Sequence, residues 1–101
     1  MFVDRRVFTV KNGRLEELLA LAEAELTRVR QQPDFAKVVR QYVDLIARFN
    51  SYVIEFEWEN LTDYERFWSV WPTTGEAAAF LAKLDELTEP GGTHELWTVV
   101  G

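Results

Sequence analysis

Two alternating stretches of the chain carry side chains that could hold or transform a ligand. Glu55 and Glu57 fall at every second position of one stretch, and Arg40, Tyr42 and Arg48 fall on one parity of the stretch before it. Arginine binds anionic groups through paired N–H donors, and a carboxylate can accept a proton from a substrate. The pattern is compatible with a pocket for a small anionic ligand, although the residues alone favour a simpler interpretation. The simpler alternative is a set of cross-strand ion pairs, each contributing about 0–1 kcal/mol.

Two further residues are candidates for the edge of such a pocket. His94 is the single histidine, and its place at the start of a predicted strand favours a pocket rim or the surface over a metal ligand. Trp71, which precedes Pro72 at a predicted helix end, is expected to reach a pocket mouth or a partner. The chain has no cysteine, so thiolate metal sites and disulfides are excluded. We predict no metal site and no cofactor.

The elements that position these residues follow from the hydrophobic period. Large apolar side chains at every second position from Tyr52 to Trp58 alternate with Val53, Glu55 and Glu57, which is typical of a strand with one apolar face. From Leu61 the aromatic residues recur at helical spacing, ending at Trp71. Thr62 and Glu65 match a capping box at the helix start. A strand is thus expected to lead into a helix whose aromatic face packs back on the sheet.

The rest of the chain divides into short elements with turn residues between them. In the first half of the chain we predict a strand over residues 2–11, a long amphipathic helix from Leu15 to about residue 32 and a helical turn over 34–37. A second strand is expected to end near residue 49, and residues 50–51 are expected to form a hairpin turn. In the second half we predict a second capping box over 73–76, a helix over 77–87 and a last strand over 94–100.

This order, β-α-β-β-α-α-β, predicts one α+β domain over residues 1–101: a ferredoxin-like plait, with a four-stranded antiparallel sheet and helices on one face. On the second strand we expect Val43, Leu45 and Ala47 to face the helices. The opposite face is left uncovered. Two such faces could meet across a two-fold axis and enclose a barrel, so we predict a homodimer, a dimeric α+β barrel.

Composition argues against several partners. Seventeen acidic and 11 basic residues give a net charge of −6, and no basic stripe is present. Nucleic acid and anionic membrane are therefore poor partners. The N-terminal residues do not have the order of a signal peptide, and no apolar run approaches the roughly 20 residues of a spanning helix. A soluble cytoplasmic protein is the expectation.

Several segments resemble one known family. Arg6-Val7-Phe8-Thr9-Val10-Lys11-Asn12-Gly13 is similar to the strand–turn–helix opening of NIPSNAP-type domains, which favour Arg-x-Tyr-x-x-Lys-Pro-Gly, with Phe8 replacing the tyrosine and Asn12 the proline. The hairpin and acidic strand over residues 48–57, the helix start over 61–66 and the closing strand over 95–97 also resemble that family. The resemblance implies the dimeric α+β barrel superfamily, which includes haem-degrading and quinone-forming monooxygenases, muconolactone isomerases and dye-decolourising relatives, beside many members with no known activity.

Three functions fit these observations. The first is a barrel protein that holds a small apolar or weakly anionic molecule between sheet and helices, lined by Arg40, Tyr42, Arg48, Glu55 and Glu57. The second is a cofactor-independent monooxygenase or isomerase of small aromatic or enolic substrates, with Tyr42 or His94 moving a proton and an arginine stabilising negative charge. The third is an interaction module whose barrel is filled by side chains.

Overall fold

The computed structural model describes residues 1–45 and 50–101, and the elements occur in the predicted order. Their bounds are β1 Phe2–Thr9, α1 Leu15–Val29, β2 Val38–Val43, β3 Ser51–Trp58, α2 Leu61–Val70, a 3₁₀ turn Trp71–Thr73, α3 Gly75–Leu87 and β4 Thr93–Thr98. In the described residues no helix is long and apolar enough to cross a membrane.

The strands form one antiparallel sheet in the order β2-β3-β1-β4. Strand β3 lies at the centre beside β1, and β2 and β4 form the two edges. This arrangement confirms the ferredoxin-like α+β fold. Residues directly opposite one another on neighbouring strands project to the same face, so the register assigns every strand residue to one of two faces. We call them the helix face and the open face.

The helix face is covered by α1, α2 and α3. The buried stripe of α1 consists of Leu18, Ala22, Leu26 and Val29, at the spacing predicted from the sequence. These residues share one hydrophobic core with the inward side chains of β3 and with buried residues of the other helices. The alternation of β3 is confirmed, since every second residue from Tyr52 to Trp58 is buried. The covered face therefore holds the hydrophobic core.

Aromatic rings fill the part of the core beneath α2. Phe35 makes edge-on contacts with Phe56 and Trp58, and its ring centroid lies 4.9 Å from that of Phe67. The predicted packing of the α2 aromatic face on the sheet is thereby confirmed, because the Phe67 ring also contacts Trp58. The segment over residues 34–37, predicted as a helical turn, is irregular instead. Its Phe35 side chain joins the aromatic core, and Lys37 N–H donates to the Glu57 carbonyl.

Both predicted capping boxes are displaced by one or two residues. Asn60, not Thr62, caps α2, and its side-chain oxygen accepts a hydrogen bond from the Asp63 N–H. Thr74, not Thr73, caps α3 by accepting from the Ala77 N–H at 3.2 Å. In each case the cap is the residue with extended backbone angles immediately before the first helical residue, as an N-cap requires.

The end of β2 differs from the prediction. The strand stops at Val43 instead of continuing to about 49, and the Asp44 carboxylate accepts a hydrogen bond from the Ser51 N–H at 2.8 Å. Val43 is on the parity of the helix face yet half exposed, and Leu45, predicted to face the helices, is 95% exposed beyond the strand end. Ala47, Arg48 and the predicted continuation of the strand over 46–49 lie outside the described residues.

Asn50 and Gly92 are two of the four described residues that have positive φ angles. Asn50 has φ of 64°, as expected for the residue that was predicted to turn the chain into β3. Gly92 precedes β4 with φ of 105°, and a Cβ there would lie 2.6 Å from the Val7 carbonyl oxygen. A side chain at position 92 would therefore obstruct the approach of β4 to β1.

Candidate functional site

The open face carries a row of alternating charges across all four strands. The register places Arg40, Glu55, Arg5 and Glu95 opposite one another in sequence across the sheet. Arg5 Nη1 lies 3.1 Å from Glu55 Oε2. Glu55 also accepts a hydrogen bond from the Tyr42 hydroxyl at 3.0 Å through its other oxygen. The predicted pairing between these strands is present for Arg40, which pairs with Glu57.

Four of the predicted site residues belong to this open-face network. Arg40 pairs with Glu57, and that pair and the Tyr42–Glu55 hydrogen bond are both on the solvent side of the sheet. The hydrogen bond to Glu55 raises the pKa of Tyr42, with burial a smaller cause. The pairing with Glu57 similarly raises the pKa of Arg40. These groups satisfy one another and lie on the face opposite the helices. Arg48 lies outside the described residues.

A cavity lies on the other side of the sheet, between the helix face and the three helices. Its volume is about 190 Å³. The wall is built from apolar side chains of every layer, with Arg6 and Glu25 as its charged residues. The lining residues are Arg6, Phe8, Leu18, Ala22, Glu25, Leu26, Val29, Phe35, Tyr52, Ile54, Phe56, Phe67, Trp68, Trp71, Pro72, Phe80, Leu81 and Leu84. Of the predicted site residues, Trp71 is in this wall; Arg40, Tyr42, Glu55, Glu57 and His94 are not.

The Glu25 carboxylate is engaged by two neighbours. Arg28 donates from Nε and Nη2 to both carboxylate oxygens, and Trp71 Nε1 donates to Oε2 at 2.7 Å. The hydrogen bonds from Arg28 hold the pKa of Glu25 below its usual range against the opposing effect of burial, and the Trp71 hydrogen bond adds to the lowering. Glu25 therefore stays ionised and fixes the Trp71 ring in the cavity wall.

A second charged cluster lies on the helix face, where β1 meets β4. The Asp4 side chain is 0% exposed, and its carboxylate accepts hydrogen bonds from Arg6 Nε and Nη2, both at 3.2 Å. His94 Nε2 lies 2.8 Å from Asp4 Oδ1, the oxygen that also accepts from Arg6 Nε, and 3.4 Å from Arg6 Nη2. Because Arg6 offers only donors and Asp4 accepts, this geometry fits an Nε2–H that donates to Asp4. The His94 ring is thereby held on the carboxylate.

Aromatic residues of α2 cover this cluster. The Arg6 guanidinium lies over the Trp68 ring, with its central carbon 4.0 Å from the ring centroid, a cation–π contact. Burial raises the pKa of Tyr64, and the nearby Asp4 carboxylate adds to this, while Arg6 acts in the opposite direction. Arg6 is held by Asp4 on its edge and by Trp68 on its face. Since both Arg6 and Trp68 line the cavity, the cluster adjoins it.

Asp4 and Arg6 are not among the site residues predicted from the sequence, although both lie in the predicted first strand. The alternation of side chains along β1 could have identified them. One face of β1 carries Phe2, Asp4, Arg6 and Phe8, so the two charged residues lie between two phenylalanines on the core side. His94 was a predicted candidate, and its position opposite Arg6 follows from the pairing of β1 with β4.

The described residues do not form a site for a metal ion. Over residues 1–45 and 50–101 no group of three or more His, Asp or Glu side chains is placed to hold an ion. The Asp4 carboxylate, which could serve as a ligand, is already occupied by Arg6 and His94.

Comparison with known proteins identifies the fold. No family model and no curated protein matches the sequence. Solved structures do. A NIPSNAP family protein from Agrobacterium tumefaciens has a TM-score of 0.81 and 18% identity, covering 98% of this chain and 92% of that chain. SnoaB, a cofactor-independent oxygenase from Streptomyces nogalater, has a TM-score of 0.77 and 18% identity over 99% of this chain and 93% of that one.

A third structure, an antibiotic biosynthesis monooxygenase, has a TM-score of 0.77 and 17% identity, with complete coverage of both chains. At these identities the likeness establishes the fold. The predicted resemblance is confirmed at that level: this chain has the ferredoxin-like α+β fold of NIPSNAP proteins, which these oxygenases share.

Proposed function

We propose that this protein binds a small apolar ligand, about the size of one aromatic ring, in the cavity between the sheet and the helices. The observation that supports the proposal is the cavity itself, about 190 Å³ with an almost entirely apolar wall. Small-molecule sites are typically concave and apolar, with few polar groups. This agrees with the predicted position of the ligand, but moves the lining residues away from Arg40, Tyr42, Glu55 and Glu57.

The volume limits the size of the ligand. An apolar protein cavity of roughly 150 Å³ is large enough to bind benzene. A cavity of about 190 Å³ has room for one ring with a small substituent. The rings of Trp68 and Trp71 in the wall provide flat surfaces for such a ligand. A fused polycyclic ligand would require the helices to move away from the sheet.

Equilibrium dialysis with nitrobenzene tests this proposal. We expect saturable binding to the wild-type protein. Ala22, a buried residue of the cavity wall, offers a way to fill the space: Ala22→Leu is expected to weaken binding by at least about tenfold. Ala79→Leu adds the same atoms on the exposed side of α3 and serves as the control. Equal binding by wild type and both variants would reject the cavity as the ligand site.

One observation supports cofactor-independent oxygenation as a second candidate function. Arg6 contacts both the cavity and the Asp4–His94 pair, so a cation and an imidazole lie near a ring-sized space. In such a site Arg6 could stabilise a developing oxyanion and His94 could exchange a proton. SnoaB, with the same fold, is a cofactor-independent oxygenase. The Tyr42 alternative is less favourable, because its hydroxyl lies on the open face.

Oxygen uptake with hydroquinone measures this activity directly. We expect uptake by the wild-type protein without an added cofactor and a clear loss in His94→Gln. The Tyr42→Phe variant, altered on the opposite face, should keep the wild-type rate. No uptake above the buffer rate would argue against the oxygenase and leave ligand binding unaffected.

We also propose that the open face is covered by a second copy of the chain. Val7 and Val53 lie opposite each other as an apolar pair on this face, next to the charge row of Arg40, Glu55, Arg5 and Glu95, and Val3 lies on the other side of that row, opposite Glu57. A row of alternating charges can be self-complementary when two copies meet across a two-fold axis. A pair of sheets arranged in this way would form the predicted dimeric barrel.

Sedimentation velocity distinguishes dimer from monomer. Val53→Asp places an unpaired charge at the centre of the open face and is expected to dissociate the dimer. The control is Val70→Asp, which makes the same change at an exposed position of α2. A monomeric wild-type protein at micromolar concentration, or a dimeric Val53→Asp variant, would contradict this assembly.

A further inference from the structure

We propose that Arg6 makes the cavity selective for ring ligands that carry an oxyanion, such as an aromatic carboxylate or a phenolate. This inference rests on the proposed function, because it assigns the ligand class of the same cavity. It differs from the sequence-based hypothesis, in which arginines of β2 would hold the anion.

The orientation of the Arg6 guanidinium is fixed before any ligand binds. Asp4 occupies the Nε and Nη2 edge through two hydrogen bonds of 3.2 Å, and the Trp68 ring supports the face at 4.0 Å. The Nη1 group has no carboxylate partner in the described part of the chain, although the guanidinium also hydrogen-bonds to Tyr64 and its Nη2 lies 3.4 Å from His94 Nε2. Because Arg6 lines the cavity, an acceptor on a ligand can approach the guanidinium without displacing a carboxylate.

Asp4 does not remove the preference for an anion. Its carboxylate is shared between Arg6 and His94, whose Nε2 lies 2.8 Å from Oδ1. A ligand oxygen on the Nη1 side approaches the guanidinium directly and Asp4 only across it. Coulomb interaction falls with distance, so attraction to the guanidinium exceeds repulsion from the carboxylate.

Among the other polar groups of the wall, Trp68 Nε1 is a buried donor without a hydrogen-bond partner in the described residues, but it carries no charge. The Glu25 carboxylate is engaged by Arg28 and Trp71, and the Tyr52 hydroxyl donates to Gln41 Oε1 at 2.6 Å. Arg6 is therefore the charged donor of the cavity wall, within the residues that the structure describes. A ligand whose polar group is a carboxylate matches this donor, whereas a nitro group of the same shape lacks the charge.

Benzoate and nitrobenzene form the decisive pair, because they have nearly the same shape and differ in charge. By equilibrium dialysis we expect the wild-type protein to bind benzoate at least about tenfold more tightly than nitrobenzene, the effect of one charge-assisted hydrogen bond. Arg6→Gln should abolish that preference while nitrobenzene still binds. Arg5→Gln removes the neighbouring arginine on the open face and should leave the preference unchanged.

The outcomes separate this inference from the proposed function. Nitrobenzene binding that Ala22→Leu weakens, together with benzoate binding that is no tighter, would overturn the role of Arg6 and retain the cavity. Absence of binding by both compounds would overturn both proposals. If circular dichroism shows that Arg6→Gln does not fold, the ratio of the wild-type affinities for benzoate and nitrobenzene is the test: a ratio of about ten or more supports the inference, and a smaller ratio contradicts it.

Discussion

The two faces of the sheet carry ion pairs of the same chemical kind in different surroundings. On the helix face the Asp4 carboxylate is fully buried between Arg6 and His94. On the open face the Arg40–Glu57 pair is half exposed on its arginine side. Both pairs join an arginine to a carboxylate. The two pairs differ in their exposure to solvent. Exposure determines how far the free energy of unfolding falls when one partner is removed.

This difference predicts unequal effects for equal mutations. A buried charge that loses its partner keeps its desolvation cost without the compensating attraction. An exposed charge that loses its partner is rehydrated. The helix face should therefore respond strongly to a single substitution and the open face weakly, although both contain comparable networks in the folded chain.

The largest effect is expected from Asp4→Asn. The substitution leaves the partly buried Arg6 without a counter-charge and His94 without its ionised acceptor. We expect the free energy of unfolding to fall by about 3 kcal/mol, at the lower end for a broken buried pair because Arg6 keeps some solvent contact. Urea denaturation followed by circular dichroism measures this change.

Asp85→Asn provides the control for the loss of one carboxylate. Asp85 lies on the exposed side of α3, and such surface substitutions change stability by less than about 0.5 kcal/mol. If both variants were equally stable, the Asp4 cluster would not contribute to folding, and the contrast between the two faces would fail.

Tyr52→Phe is expected to have the next largest effect. Tyr52 is 2% exposed on the helix face, and its hydroxyl donates to Gln41. Loss of this hydrogen bond should cost about 1 kcal/mol at neutral pH. Burial, with a smaller contribution from Glu23, raises the pKa of Tyr52, so the unfolded chain loses this proton before the folded chain as pH rises.

The sign of the pH effect follows from that order. Stability contributed by Tyr52 is present below the ordinary tyrosine pKa of about 10 and is lost as the pH rises above it. The phenylalanine variant should therefore lose less stability than wild type between pH 9 and pH 11, approximately the range around that value. Parallel urea titrations across this range check it, and identical slopes for both proteins would contradict the buried environment of this hydroxyl.

Much of the fold could be predicted from period alone. The alternation in β3 and the apolar stripe of α1 each have a single structural interpretation, because burial of one face requires that spacing. Boundaries were less predictable. The capping motif at Thr62 is sound locally, yet Asn60 lies at the residue where the extended chain turns into α2. The sequence contains both possible N-cap residues, Asn60 and Thr62, and the place where β3 ends in the folded chain determines which of them caps the helix.

The candidate site was less accessible to sequence reasoning. Arg40 and Glu57 were found because charges on neighbouring strands pair across a sheet, but that rule places them on the face away from the cavity. Arg6 and Asp4 were missed because charged residues in a short strand are usually assigned to the solvent face. Placing them on the core side required the register of β1 against β3 and β4.

A smaller effect is expected from Glu25→Gln on the helix face. Because Arg28 and Trp71 lower the pKa of Glu25, its contribution is present above the ordinary glutamate value of about 4.3 and is lost as pH falls below it. We expect a loss of less than about 1 kcal/mol at pH 7. The difference from wild type should shrink at acid pH. Glu65→Gln, at an exposed position of α2, is the control.

The smallest effect is expected from Tyr42→Phe on the open face. It removes the same atom as Tyr52→Phe, but Tyr42 is 44% exposed, and Glu55 keeps its contact with Arg5 after the hydroxyl is lost. We expect less than about 0.5 kcal/mol in the Val53→Asp background, where the open face should be free of a second copy. In the wild-type background the cost should be larger, because a second sheet would exclude water from the Tyr42–Glu55 hydrogen bond. Equal costs in the two backgrounds would mean that this hydroxyl meets solvent in both, and the contrast between the faces would then persist in the assembled protein.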